Sequence, residues 1–187
     1  MLLISQNAVN YDIKLPKDVI FRINLAWCNN LEELKEKLSR NKNNEFFIDL
    51  PIGRIKPPNN NYSLDEMIPI IKSNPHVKYF AVSNVENKND LEIFQEKLPE
   101  YMNIVPKIES PTAIQNIDEI CNSLKTDKKI IMLDHDDLFS AIIRNKENSD
   151  NFQMYLKKLI EYCEMKKIIL LRTVGVVFSD DESRTTQ

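Results

Sequence analysis

Apolar, β-branched runs alternate with helix-spaced apolar stripes along most of the chain. Residues 19–26 read as a strand, and Leu31, Leu34 and Leu38 then mark one face of a helix in LEELKEKLSR. Residues 45–50 form the next strand, followed by the polar loop PPNNNY. Ser63 and Glu66 have the spacing of a capping box, with Leu64, Met67, Ile68 and Ile71 facing inward behind it. Pro69 is expected to kink or shorten that helix. A strand over 77–82 leads to a helix over 90–98, which carries Leu91, Phe94 and Leu98 on one side and ends at Pro99.

The same rhythm continues to the C-terminus. Residues 103–108 form a strand. Ser110 then caps a helix with Pro111 at its favoured first position and a stripe of Ile114, Ile117, Ile120, Cys121 and Leu124. Residues 130–133 form a strand, and Phe152, Tyr155, Leu156, Leu159 and Cys163 mark a long helix. The last clear strand covers 168–172, with 174–178 a candidate extension and 1–4 a candidate strand at the front. Strict alternation of strand and helix predicts an α/β fold with a parallel sheet, either closed as a barrel or open and doubly wound. No linker divides it, so residues 1–178 read as one domain and 179–187 as a mobile, solvated tail.

Parallel strands covered on both faces are nearly all apolar, and here the exceptions fall at the C-terminal ends. Arg22 and Asn24 lie two apart and share a strand face, as do Lys107 and Glu109. Asp49 ends a third strand, Asp134, Asp136 and Asp137 a fourth, and Arg172 with Thr173 a fifth. Burying an unpaired charge costs several kcal/mol, so repeated charge at one pole predicts a polar cup where ligands bind in such folds. The alternatives are a structural ion pair for Lys107 with Glu109 and a turn after the strand for the 134–137 run.

Composition narrows the chemistry. The chain has 187 residues, 42% of them hydrophobic, and a net charge of −3, which favours neither nucleic acid nor an anionic membrane as partner. Only two glycines are present, too few for a phosphate-cradling or dinucleotide loop. Three scattered cysteines and two histidines argue against a disulfide framework and against zinc. No apolar run is long enough to span a bilayer and no signal peptide is evident, so a cytoplasmic location is expected.

Several of these segments resemble the barrel domain of pyruvate kinase, within the phosphoenolpyruvate/pyruvate barrel superfamily, over roughly residues 19–175. They are Phe21-Arg22-Ile23-Asn24, the stretch Asp49-Leu50-Pro51-Ile52-Gly53-Arg54-Ile55-Lys56, Ser83-Asn84-Val85, Lys107-Ile108-Glu109, Asn116-Ile117-Asp118-Glu119-Ile120, and Asp136-Asp137-Leu138. The resemblance implies a (β/α)8-type parallel barrel of about seven strands, one short of closure. It implies that Glu109 and Asp137 hold Mg2+ or Mn2+, that Lys107 stabilises charge on an enolate or phosphoryl group, and that Thr173 assists proton delivery. Arg22 resembles a phosphate-binding arginine. Asn24 and Asp49 resemble ligands of a monovalent cation, and Lys56 a basic residue of the substrate cup.

The departures from the family pattern are as specific. Only a short loop follows Lys56 where the family inserts a lid domain, the regulatory C-terminal domain is missing, Ala26 replaces a serine ligand of K+, and Asp136 replaces a glycine. The expected activity is therefore divalent-metal-dependent binding or turnover of phosphoenolpyruvate or pyruvate, by phosphoryl transfer or by carbon–carbon lyase or aldolase chemistry. The alternative is a catalytically inactive homologue that binds a metabolite or a protein. The missing strand also predicts self-association through the open sheet edge.

Overall fold

The computed structural model describes residues 1–5, 18–53, 58 and 60–172. Lys56, Thr173, the candidate extension at 174–178 and the tail at 179–187 lie outside the described residues.

Seven strands form one all-parallel sheet in sequential order: β1 (Leu2–Ser5), β2 (Val19–Asn24), β3 (Glu45–Leu50), β4 (Val77–Val82), β5 (Asn103–Ile108), β6 (Ile130–Leu133) and β7 (Ile169–Arg172). The helices are α1 (Leu31–Arg40), α2 (Leu64–Ser73), α3 (Glu92–Lys97), α4 (Pro111–Gln115), α5 (Ile117–Ser123), α6 (His135–Arg144) and α7 (Asn151–Lys166). Crossovers of one hand that always step to the next strand put the helices on one face and curl the sheet around the other. The result is a parallel half-barrel, with β1 and β7 each paired on one side only among the described residues.

Two apolar cores follow from the period-2 alternation of each strand. The larger lies between sheet and helices, with Phe21, Ile23, Ile48, Phe80, Ile108 and Leu133 meeting Leu34, Met67, Ile71, Ile114 and Leu159. The smaller lines the concave face with Ile20, Phe47, Ala81, Val105, Ile130 and Leu171. Tyr79 stacks on Phe47 within it, ring centroids 6.1 Å apart. Continuing along the strands on that concave face, the next positions are Arg22, Asn24, Asp49, Ser83, Lys107, Glu109 and Asp134. The inner face is thus apolar at the bottom and charged at the C-terminal pole.

Local chemistry adjusts several element boundaries. Residues 25–27 leave the predicted strand for a 3-10 turn, because the Asn24 side chain accepts a hydrogen bond from Ala26 N at 3.0 Å. The capping box forms as expected: Ser63 Oγ accepts from Glu66 N, and Ser63 N donates to Glu66 Oε2 at 2.8 Å. α2 continues past Pro69 to Ser73, held by buried Met67, Ile70 and Ile71 on both sides of the proline. Ile68 is only half-buried, and Ile70 takes the inward position instead. The helix predicted after Ser110 is broken at Asn116 into α4 and α5. No helix among the described residues is long and apolar enough to cross a membrane.

His76 couples the fold to pH. Its ring packs edge-on against Phe46, and Nε2 lies 3.2 Å from Leu38 O. Burial holds its pKa below the usual histidine range; the Leu38 carbonyl opposes this, and Lys42 and Lys78 reinforce it. A group whose folded pKa is depressed takes up protons more readily when unfolded, so stability falls as pH drops. Urea titrations should show stability declining as pH falls through about 6.5, the ordinary histidine value, and on toward the lower folded value. His76→Gln should flatten that decline, and an unchanged slope would remove His76 from the account.

Candidate functional site

The charged pole is built from adjacent strand ends. On β5, Lys107 and Glu109 are 5% and 6% exposed, and Lys107 Nζ reaches Glu109 Oε1 at 2.6 Å. From the end of β6, Asp134 Oδ2 lies 3.5 Å from the same ammonium. Burial alone would pull the Lys107 pKa down, but Asp49, Glu109 and Asp134 together raise it above the ordinary lysine value, so it stays charged. Burial pushes the Glu109 carboxyl up, and the Lys107 ion pair and a backbone hydrogen bond oppose that rise.

That backbone hydrogen bond comes from the loop after β4. Asn84 N donates to Glu109 Oε2 at 2.6 Å, and Asn84 has a φ of 56°, a left-handed conformation that asparagine tolerates better than most residues. Asn84 Nδ2 donates to Ile52 O at 2.8 Å, tying this loop to the one after β3. Gly53, at φ 74°, completes the close approach: a Cβ there would lie 3.3 Å from Asn84 Nδ2.

The acidic run after β6 begins a helix. Asp134 caps α6 by accepting from Asp137 N at 3.2 Å, which places both acids at the start of that helix. Glu109, Asp134 and Asp137 each present one ligand atom, all within 4.8 Å of one another. Three carboxylates facing one buried lysine carry excess negative charge, and hard oxygen donors in such a set suit a divalent cation such as Mg2+, Mn2+ or Ca2+. Glu109 and Asp137 are the pair expected from the sequence. Asp134, counted there among the charged strand ends with a turn as its alternative, was not expected as a ligand. Its signal is the Asp-x-x-Asp capping spacing before the helical stripe Leu138, Ala141 and Ile142.

Arg22 and Asp49 form a second, separate pair. The Arg22 guanidinium bonds to Asp49 Oδ2, and Asp49 has no exposed surface. Asp49 Oδ1 and Arg22 Nε are buried without a hydrogen-bond partner. Asn24 Oδ1 serves as the cap of its 3-10 turn. Arg172 follows the inward-facing Leu171 and so points the other way, its guanidinium 3.5 Å from His135 Nε2. Arg172 thus stands apart from the Lys107 cluster, although it lines the larger cavity at this pole.

Two cavities open at this pole. One, of about 260 Å3, is lined by Pro51, Ile52, Gly53, Ser83, Asn84, Lys107, Glu109, Asp137, Ser140 and Arg144. The other, of about 640 Å3, lies along the gap between β1 and β7 and includes Arg22, Asn24, Asp134 and Arg172. The expected site residues Lys107, Glu109 and Asp137 therefore share one cavity and Arg22 and Asn24 face the other, while Asp134 lines the second cavity with a ligand atom within 4.8 Å of those of Glu109 and Asp137.

The chain defines a class by its architecture: a parallel α/β half-barrel with an acidic centre at the C-terminal pole. No protein-family model matches the sequence, and no curated protein does. Among solved structures it is similar to RipC from Yersinia pestis, with a TM-score of 0.60 over 99% of this chain and 80% of that one. At 12% identity the likeness extends to the fold.

Proposed function

We propose that the 260 Å3 cavity binds a small keto acid of the pyruvate class together with a divalent cation, and that Lys107 supports enolate chemistry there. The observation that carries this reading is the cluster itself: a charged, buried Lys107 within ion-pair distance of Glu109 and Asp134, with Asp137 completing a three-carboxylate set. Glu109, Asp134 and Asp137 would hold the cation, which when bound acts as a Lewis acid toward substrate oxygens. Lys107 keeps its proton and offers it as a preorganised positive charge beside a developing enolate oxygen, where low water content strengthens the interaction. Asn84 fixes Glu109 through its backbone N–H, so the carboxylate keeps its orientation when Lys107 shifts toward substrate.

Between the two chemistries implied by the resemblance, carbon–carbon lyase or aldolase turnover is the better supported. The arginine that would contact a phosphoryl group, Arg22, is bonded to Asp49 and lies in the other cavity. The same observation favours the second reading, a binding module without catalysis, over phosphoryl transfer.

A thermal-shift screen tests the proposal. Pyruvate, oxalate and phosphoenolpyruvate are each added with and without Mn2+, since a ligand of the native state raises the melting temperature by mass action. Pyruvate and oxalate are expected to stabilise the protein only when Mn2+ is present. No shift with any of the three in saturating Mn2+ would sink the keto-acid reading.

A further inference from the structure

Helix α6 carries chemistry that the site as described leaves unused. Asp137, Ser140 and Arg144 follow at intervals of three and four, so they share one helical face, and all three line the 260 Å3 cavity. The neighbouring face, Leu138, Ala141 and Ile142, is buried in the core, which sets the helix's rotation. Arg144 therefore lines the cavity from about two helical turns beyond Asp137. Seven residues of helix place its Cα about 10 Å along the axis from that of Asp137.

Arg144 has no carboxylate partner among the described residues. The nearest acid in sequence, Glu147, is engaged elsewhere: it accepts from Tyr155 Oη at 2.8 Å and from Asn151 Nδ2 at 3.3 Å. Ser83 Oγ, on the same cavity's wall, is buried without a hydrogen-bond partner. The cavity thus has a carboxylate-and-lysine end, an unsatisfied hydroxyl on its wall and an unpaired cation at its rim. A three-carbon acid seated at Lys107 leaves the Arg144 end empty.

We propose that Arg144 selects a dicarboxylic keto acid, pairing with the distal carboxylate while the keto-acid head lies at Lys107, Glu109 and Asp137. This rests on the keto-acid reading of the same site. An arginine fork matches a carboxylate in two parallel hydrogen bonds, which makes it a geometric as well as an electrostatic selector.

The test uses calorimetric titration in Mn2+ with three probes: pyruvate, 2-oxopentanoate and 2-oxoglutarate. The last two have the same carbon count and differ in the second carboxylate. Wild type is expected to bind 2-oxoglutarate about tenfold or more tightly than 2-oxopentanoate, the gain of one charge-assisted hydrogen-bonded group. Arg144→Gln should abolish that preference and leave pyruvate affinity within about twofold, because the substitution touches only the rim. Arg144 is exposed, so the variant should fold, which its melting temperature checks. Binding of pyruvate by wild type without any diacid preference, or a preference that survives Arg144→Gln, overturns the inference alone. Failure of all three acids to bind wild type overturns the keto-acid reading, and this inference with it.

Discussion

Glu109→Gln is expected to abolish manganese binding. The substitution keeps the side chain's volume but removes one of three carboxylates whose ligand atoms lie within 4.8 Å of one another. It also removes the partner of Lys107, which leaves the ammonium 3.5 Å from Asp134 and turns that ligand away from a cation. Removing a partner that merely orients a metal ligand typically weakens affinity 10–100-fold, so loss of a ligand should cost roughly 100-fold or more. Titration calorimetry or the electron-spin signal of free Mn2+ reads the change. Asp136→Asn is the control: it removes an exposed charge from the same helix turn and should alter affinity by no more than about twofold. Equal, negligible binding by wild type and Glu109→Gln would show that the three acids are not a metal site.

The second large effect concerns Lys107. Replacing it by methionine keeps the bulk but strands Glu109, which is 6% exposed, beside Asp134 and fully buried Asp49. Breaking a buried ion pair by removing one partner typically destabilises by about 3–5 kcal/mol, because the remaining charge is uncompensated. Urea denaturation in EDTA at pH 7 should show a loss of that order for Lys107→Met. The loss should shrink in acid. Burial already raises the Glu109 pKa and the lysine opposes that rise, so removing the lysine lifts the carboxyl further. A penalty from a raised carboxyl pKa is absent below the unfolded value, about 4.3, and grows as pH rises through it toward the folded value. The double variant Lys107→Met with Glu109→Gln should regain part of the stability, since neither charge is then left unpaired. If the double variant is no more stable than Lys107→Met, the pair is not what holds this pole together.

The two effects oppose each other in a way that bears on function. Lys107 stabilises the acids while no cation is bound, and a cation would compete with it for Glu109 and Asp134. On the function proposed above, a lysine displaced from Glu109 by a metal would keep its charge and become available to substrate. Stability and catalysis would then draw on one set of charges, with Asn84 N holding Glu109 in place in both states.

The period-2 arithmetic of the strands was readable without coordinates. Arg22 with Asn24 and Lys107 with Glu109 had to share a strand face, and alternation of strand with helix required parallel pairing. Those are local properties of backbone geometry, so the parallel α/β class and the polar pole followed from them. What pairs with what did not follow, because it depends on register between strands far apart in sequence. The β2–β3 register sets Asn24 beside Asp49 and brings Arg22 within reach of that carboxylate, so the arginine expected to bind phosphate is neutralised from within. The adjacency of β5 and β6, with Ile108 opposite Leu133, brings Asp134 to Lys107 and makes an apparent turn residue part of the acidic centre. Packing of α6 by Leu138, Ala141 and Ile142 carries Arg144 to the same cavity, although it stands 35 residues after Glu109 in the chain. Sequence by itself determined which residues are charged and which strand face each occupies. Only the tertiary structure decided which charges cancel and which are left to meet a ligand, because electrostatic pairing depends on distance through space and not along the chain.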